Sequence, residues 1–474
     1  MVIKFYTMKR TSLLFIFCFV FNNLFSQNIT GQWSGVLKLP GSQLRIVFNI
    51  SKTDSGYAST MDSPDQGAKG IPTTKTDFEN GILKITAEKL KMNFEGNLEN
   101  DTIVKGSFVQ NGFTFPLNLT RGLVEKQVLK RPQEPQKPYP YYSEEVRIEN
   151  KKDSVVLYGT LTMPSKEGLF PAVVLISGSG PQNRDEELMG HKPFLVLSDY
   201  LTRNGIAVLR YDDRGTGKSK GIFSKGTSFD FSNDAEAAFN YLLSRKEIIA
   251  NKIGLMGHSE GGLIAPMIAA RNNNVGFVVM LAGTGLSGDQ IMLLQQELIA
   301  RADGSTEADI QKTKRVNKAV FDIVRKNENQ TNLNAELSAY LKNELEKDTA
   351  LSKSIGMSVD DYIKSTLKQI ASPWFQYFLK YDPQPALTQV KCPVLAINGE
   401  KDLQVPPKED LAAIIKALKK GGNKNFLTKE LPGLNHLFQE CKTGSPLEYN
   451  EIEQTFSPIA MQEVLNWITI QTKP

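Results

Sequence analysis

The sequence predicts a doubly wound, mostly parallel α/β domain carrying a helical insertion, preceded by a small all-β domain. Three observations point there. From about residue 143, short near-continuous apolar runs alternate with stretches of helical spacing. Before residue 122 the runs are short, alternating in polarity, and separated by Gly, Asn and Asp. A proline-rich segment divides the two regions.

The chain has 474 residues, more than one ordinary core holds, so two or three domains are expected. Hydrophobic residues make up 40% and charged residues 23%, the balance of a soluble globular protein. The formal net charge is +5, and its densest basic run, Lys416 to Lys424, reads as the solvated face of a helix. No nucleic-acid footprint is expected. Lys4, Lys9 and Arg10 precede the apolar stretch Ser12 to Phe21, too short to span a bilayer. Residues 1–26 therefore read as an export signal cleaved near Phe25-Ser26-Gln27, with Met8 as a second possible start. Its removal takes away three cations and no acids. Cys18 follows Phe17 rather than a small residue, which argues against a lipoprotein site. The expectation is a periplasmic or extracellular protein with no stable membrane insertion after cleavage.

Residues 27–122 contain the runs Trp33 to Leu39, Leu44 to Ile50, Ile82 to Ala87, Met92 to Leu98, Ile103 to Val109 and Phe113 to Leu119. Turn signals such as Asn80-Gly81 and Asn111-Gly112 lie between them. A small antiparallel sheet, sandwich or barrel is predicted. Gly31-Gln32-Trp33 resembles the opening of lipocalin-like barrels, in which a Trp plugs one end; a buried core Trp would look the same. Residues 123–142 carry Pro132, Pro135, Pro138 and Pro140 among charges and read as a stiff linker.

In 143–474, Val173 to Ser177, Ala207 to Tyr211, Ile253 to Gly257, Phe277 to Ala282 and Val394 to Asn398 have the composition of strands buried on both faces. Phe194 to Arg203, Asp234 to Ser244 and Leu411 to Lys419 read as the intervening helices. Glu145 to Glu149 and Val155 to Met163 form an entering hairpin. Residues 286–386 interrupt this alternation with helical spacing, and the strand pattern resumes at Val394. They are expected to form a helical cap over the strand ends.

An ordinary hydroxyl is a poor nucleophile: it needs a base, a group to orient that base, and donors for the oxyanion. Ser259 lies in Gly257-His258-Ser259-Glu260-Gly261, between a predicted buried strand and the helix Gly262 to Arg271. A bare G-x-S-x-G arises by chance in roughly one chain in six of this length. The strand before and helix after it make the match far more selective. Gly257 and Gly261 permit the sharp turn that lifts the hydroxyl off the strand end.

The chain has three histidines, His191, His258 and His436. In doubly wound enzymes with such a turn the order is nucleophile, acid, base. His191 comes too early, and His258, adjacent to Ser259, is expected to point elsewhere. His436, after the last predicted strand Phe426 to Leu431, is the base. The acid should follow Val394 to Asn398; Asp402 is preferred and Glu400 is the alternative. One oxyanion donor is the N–H of Glu260, at a helix N-terminus. The other comes from Ser177-Gly178-Ser179-Gly180-Pro181, with Ser179 preferred over Gly180. Tyr211 to Ser219 lacks the G-x-x-x-x-G-K-[ST] spacing of a phosphate loop and reads as a loop braced by Asp–Arg pairs. Arg184-Asp185-Glu186 is expected to brace the oxyanion loop. Cys392 precedes its strand and Cys441 follows the His436 loop, at opposite ends of the sheet, so two free thiols are expected.

Ser177 to Glu186, Tyr211 to Gly215 and Gly257 to Gly262 together resemble a group of secreted bacterial esterases in the α/β-hydrolase superfamily. That group is related to the serine aminopeptidase-like hydrolases and often carries an N-terminal β-domain. The likeness covers about 143–474 and is weakest in 286–386; residues 27–122, including Asp62 to Gly67, resemble the fused β-domains. Many relatives have His-Gly where Ser177-Gly178 stands. The resemblance implies hydrolysis of a small-molecule carboxylic ester through an acyl-enzyme, with no metal or organic cofactor. A serine peptidase using the same residues is the alternative, and a carbohydrate- or surface-binding role of the β-domain is a third. Oligomeric state is not legible.

Overall fold

The computed structural model describes residues 28–39, 42–110, 113–124, 130–347 and 358–473. The apolar N-terminal stretch expected to direct export lies outside them. The chain divides into two compact units, an N-terminal one reaching to Val124 and a second built mainly from Glu125–Pro474.

The first unit contains β1 (Gly31–Leu39), β2 (Ser42–Thr53), β3 (Gly56–Ser63), β4 (Ala68–Pro72), β5 (Lys75–Glu79), β6 (Ile82–Ala87), β7 (Met92–Asn100), β8 (Ile103–Gln110) and β9 (Phe113–Arg121). Their order is β2-β1-β9-β8-β7-β6-β5-β3-β4, and β2 also pairs with β3, so eight strands close into a barrel while β4 hangs on β3 alone. Inward alternation is clearest in β7, where Met92, Phe94 and Gly96 are buried and Asn93 and Glu95 exposed. Trp33, Phe48, Phe94 and Phe108 are at most 1% exposed, and the Phe48 and Phe94 rings meet at 5.5 Å. Trp33 donates its indole N–H to the Ile29 carbonyl at 2.7 Å, under the Arg121 guanidinium 4.4 Å from its ring. The sequence reading missed β3, β4 and β5. These strands bury few apolar side chains, and hydroxyl pairs such as Ser59–Thr76, 2.7 Å apart, stand in for them.

The second unit is built on one sheet of β10 (Tyr142–Asn150), β11 (Val155–Met163), β12 (Phe170–Ile176), β13 (Ala207–Tyr211), β14 (Ile248–His258), β15 (Phe277–Leu281), β16 (Val394–Gly399) and β17 (Phe426–Leu431). The order is β10-β11-β13-β12-β14-β15-β16-β17. The first three are antiparallel neighbours, and from β13 across to β17 all pairings are parallel. Val174, Ile176 and Leu255 face one core, and Val173, Leu175 and Met256 the other. Burial on both faces is why these strands read as unbroken apolar runs.

Helices α1 (Pro193–Arg203), α2 (Ser228–Leu243) and α3 (Glu260–Ala269) connect the early strands. Helix α2 starts six residues before the expected Asp234, because Thr227 and Asp230 form a reciprocal capping box. Between β15 and β16 come α4 (Gly288–Ala302), α5 (Glu307–Lys326), α6 (Gln330–Lys347), α7 (Val359–Ile370), α8 (Pro373–Lys380) and α9 (Gln384–Gln389). Part of this insertion has its own core, which includes Val324, Leu337 and Phe375. Helices α10 (Pro407–Lys420) and α11 (Pro458–Gln471) follow β16 and β17.

Part of the proline-rich segment is anchored rather than free. Arg131 donates to the carbonyls of Asn450 and Ile452, and the Gln133 side-chain oxygen accepts the N–H groups of Thr455 and Phe456. Cys392 and Cys441 are free thiols. No helix among the described residues is long and apolar enough to cross a membrane.

Candidate active site

The chain runs from β12 to β13 on one side and then crosses to β14 on the other. Crevices outside the carboxyl ends of parallel strands open at such a reversal. Here the loops after β12 and β14 meet.

Ser259 sits between β14 and α3 with φ 52° and ψ −115°. A left-handed non-glycine residue costs on the order of 1–3 kcal/mol and persists only where its surroundings enforce it. The surroundings are backbone packed on backbone. A Cβ on Gly257 would lie 1.9 Å from the Gly261 carbonyl oxygen, and one on Gly261 would lie 2.1 Å from that of Ile176. The Ser259 N–H donates to Leu281 O at 2.9 Å, which ties the turn to β15.

His436 and Asp402 come together from the loops after β17 and β16. His436 Nδ1 lies 2.8 Å from Asp402 Oδ2, and both residues are buried. The other oxygen, Oδ1, accepts the N–H groups of Gln404 and Val405, each at 2.8 Å. That fixes the carboxylate and leaves one oxygen for the imidazole. Glu400 does not reach His436; it is exposed and accepts the Gly433 N–H at 2.8 Å.

Ser259, His436, Ser179 and Glu260 line one cavity of about 310 Å³. Leu188, Val405 and Leu437 supply apolar wall, as do Ile291, Met292, Trp374 and Phe378 of the helical insertion. The Gly178 N–H is taken by Glu186 Oε1 at 2.7 Å. The N–H groups of Ser179 and Glu260 donate to no acceptor among the described residues. The loop bearing Ser179 is pinned on both sides by Asp213, which accepts from Ser177 Oγ at 2.9 Å and from Gln182 N–H at 2.8 Å. Ser177 thus anchors the loop through its hydroxyl. Arg184 braces the same region through Asp212, at 2.7 Å, and Arg214 pairs with Asp234 at 2.6 Å.

The Glu260 carboxylate is buried and accepts hydrogen bonds from Trp374 Nε1, at 2.9 Å, and Ser228 Oγ, at 2.6 Å. Burial raises its pKa, and those hydrogen bonds oppose the rise.

One expectation fails. His258 does not point away from the site. The residue borders the cavity, and its ring turns toward the neighbouring loops, with Nδ1 2.9 Å from Glu186 Oε1 and Nε2 2.9 Å from the His436 carbonyl oxygen. Burial works against its charged form, but the facing Glu186 carboxylate, the His436 carbonyl and the Asp402 charge together raise its pKa. The sequence offers Glu186 only as a brace, because a contact between two loops 72 residues apart leaves no spacing signal. His191 lies elsewhere, held by Thr455 and Tyr449, and burial pushes its pKa down to about 4.

Residues 193–372, which include the Ser259 turn, match the family model Hydrolase_4, described as serine aminopeptidase, S33. The second unit has the α/β-hydrolase fold. Over 172 residues the chain is 34% identical to Esterase EstD of Thermotoga maritima, covering 36% of this chain and 40% of that protein. The chain thus spans less than half the length of that curated relative. Among solved structures, the α/β hydrolase GrgF of Penicillium sp. sh18 is 14% identical, with a TM-score of 0.44 over 70% of this chain and 99% of that one. The Pyrococcus furiosus esterase Pf2001 is 15% identical, with a TM-score of 0.43 over 74% and 100%.

Proposed function

We propose that the protein hydrolyses carboxylic esters of small or medium acyl chains through an acyl-enzyme on Ser259. The observation that carries this reading is the strained Ser259 turn sharing a cavity with a His436 whose Nδ1 is held by Asp402 at 2.8 Å. In the proposed reaction Ser259 Oγ attacks the ester carbonyl carbon and its proton passes to His436 Nε2. The N–H groups of Ser179 and Glu260 receive the oxyanion. Collapse breaks the bond to the alcohol, which leaves with the proton from His436. Water, deprotonated by His436, then releases the acid. Asp402 keeps the Nδ1 proton in place and stabilises the imidazolium. The helical insertion acts as a cap whose apolar side chains select the acyl group.

A serine peptidase would use the same groups, but one that trims N-termini needs a free acid for the substrate amine. Among the described residues, those that line the cavity from the insertion are apolar or amide-bearing. Glu186 and Glu260 are already engaged. A ligand site inside the barrel fits poorly with its large buried aromatics.

The test is labelling by a fluorophosphonate probe, then a panel of p-nitrophenyl esters and aminoacyl anilides. Label on the wild type, none on Ser259→Ala, and ester turnover above anilide turnover are expected. Anilides turned over faster would reverse the assignment, and an unlabelled wild type would remove it.

A further inference from the structure

We infer that His258, held as an imidazolium by Glu186, is a positioning residue that ties the oxyanion loop to the loop carrying the base. This rests on the reading of Ser259 and His436 given above. The chain of contacts is short and buried. Glu186 Oε1 accepts the Gly178 N–H at 2.7 Å and faces His258 Nδ1 at 2.9 Å; His258 Nε2 faces the His436 carbonyl oxygen at 2.9 Å. Glu186 and His258 are 3% and 6% exposed, so water does not compete for these bonds. Glu186 itself is held at φ 51°, a left-handed conformation that a non-glycine residue adopts only when constrained.

The protonation state follows from the partners. A carbonyl oxygen only accepts, so Nε2 carries a proton. A carboxylate oxygen only accepts, so Nδ1, which faces Glu186 Oε1, carries a proton too. A ring donating from both nitrogens is an imidazolium. The raised pKa of His258 agrees in direction. The charged or titratable groups facing this ring are Glu186 after β12, Asp402 after β16 and His436 after β17, whose ring centroid lies 4.8 Å away. Glu260 shares the same cavity. When His436 takes the serine proton, two cationic rings stand side by side, and the Glu186 and Asp402 carboxylates balance them.

The link spans the two parts whose separation must be correct at the transition state. One end holds Gly178, next to the Ser179 donor; the other holds the backbone of the base itself. A displacement of about 1 Å in such a constellation costs on the order of 100-fold in rate.

Glu186→Gln keeps an acceptor at Oε1 but removes the charge. It is expected to lower kcat and the fluorophosphonate labelling rate of Ser259 roughly 10- to 100-fold, with KM within about threefold. The sign of the pH effect is fixed. The active arrangement needs protonated His258 and is lost as pH rises through its raised folded-state value. Glu186→Gln lowers that value, so the alkaline limb of the kcat profile moves to lower pH. Wild-type kcat together with an unmoved alkaline limb would overturn the inference.

A second measurement needs neither turnover nor a folded variant. With three histidines in the chain, 15N-histidine spectra of the whole protein at pH 7.5 resolve each imidazole. Both His258 nitrogens are expected as protonated N–H; a neutral His258 would overturn the inference. Failure of Ser259 to take the probe would instead count against the proposed function, because the protonation of His258 is read independently.

Discussion

Asp402 and Glu400 stand two positions apart in one loop, and only local hydrogen bonds separate their roles. Asp402 Oδ2 faces His436 Nδ1 at 2.8 Å, while Glu400 caps the turn at Gly433. Asp402→Asn keeps the shape but presents an N–H or an amide oxygen where a carboxylate oriented the ring. Ester turnover should fall roughly 10³- to 10⁴-fold with little change in KM. Glu400→Gln, on the surface, should stay within about threefold of wild type. The reverse ranking in a steady-state assay would make Glu400 the acid. At this scale the sequence carried much. Chain order and a count of three histidines singled out His436, and the glycines around Ser259 announced a tight turn. What it could not carry was Glu186–His258, because tertiary contacts between loops have no period to read.

Elements explain which boundaries were legible. Parallel strands buried on both faces appear as solid apolar runs, whereas β3 to β5 of the barrel, held by hydroxyls and backbone pairing, do not. Helix α2 begins earlier than its apolar spacing because its first turn is set by a capping box. The exit from β15 into the insertion depends on a residue from another element. Asp410 on α10 accepts from Thr284 Oγ1 and the Gly285 N–H, each at 2.8 Å, and from the Leu286 N–H at 3.2 Å. Its other oxygen is buried without a partner among the described residues, and burial raises its pKa to about 6. An acid whose pKa is raised on folding favours the native state most below its unfolded value. That advantage is lost as pH rises from about 4 to about 6. Asp410→Asn removes this titration. In urea unfolding, the stability of wild type relative to Asp410→Asn should therefore fall across that interval and level off above it. A difference that is flat with pH would show that Asp410 does not titrate there.

At the scale of the whole molecule, composition and texture announced two regions with a proline-rich segment between them. They did not reveal that residues 130–141 run as part of the second unit. Arg131 reaches the carbonyls of Met189, Gly190, Asn450 and Ile452, and Gln133 binds Thr455 and Phe456 through both ends of its amide. These bonds hold the chain that follows β17 and the His436 loop. The strands of this unit's sheet pair with one another, and the buried residues of both its cores lie between Val146 and Ile468. A chain truncated to 130–474 should therefore unfold cooperatively and hydrolyse p-nitrophenyl esters with kcat/KM within about threefold of the full chain. A chain truncated to 143–474 keeps every strand of the sheet apart from the first residue of β10, but it loses Arg131 and Gln133. The carbonyls of half-buried Asn450 and Ile452 then exchange a charged donor for water, at a cost of about 1–2 kcal/mol. Guanidinium unfolding should place 143–474 below 130–474 by that margin, and equal midpoints would mean the segment is a passive tether after all.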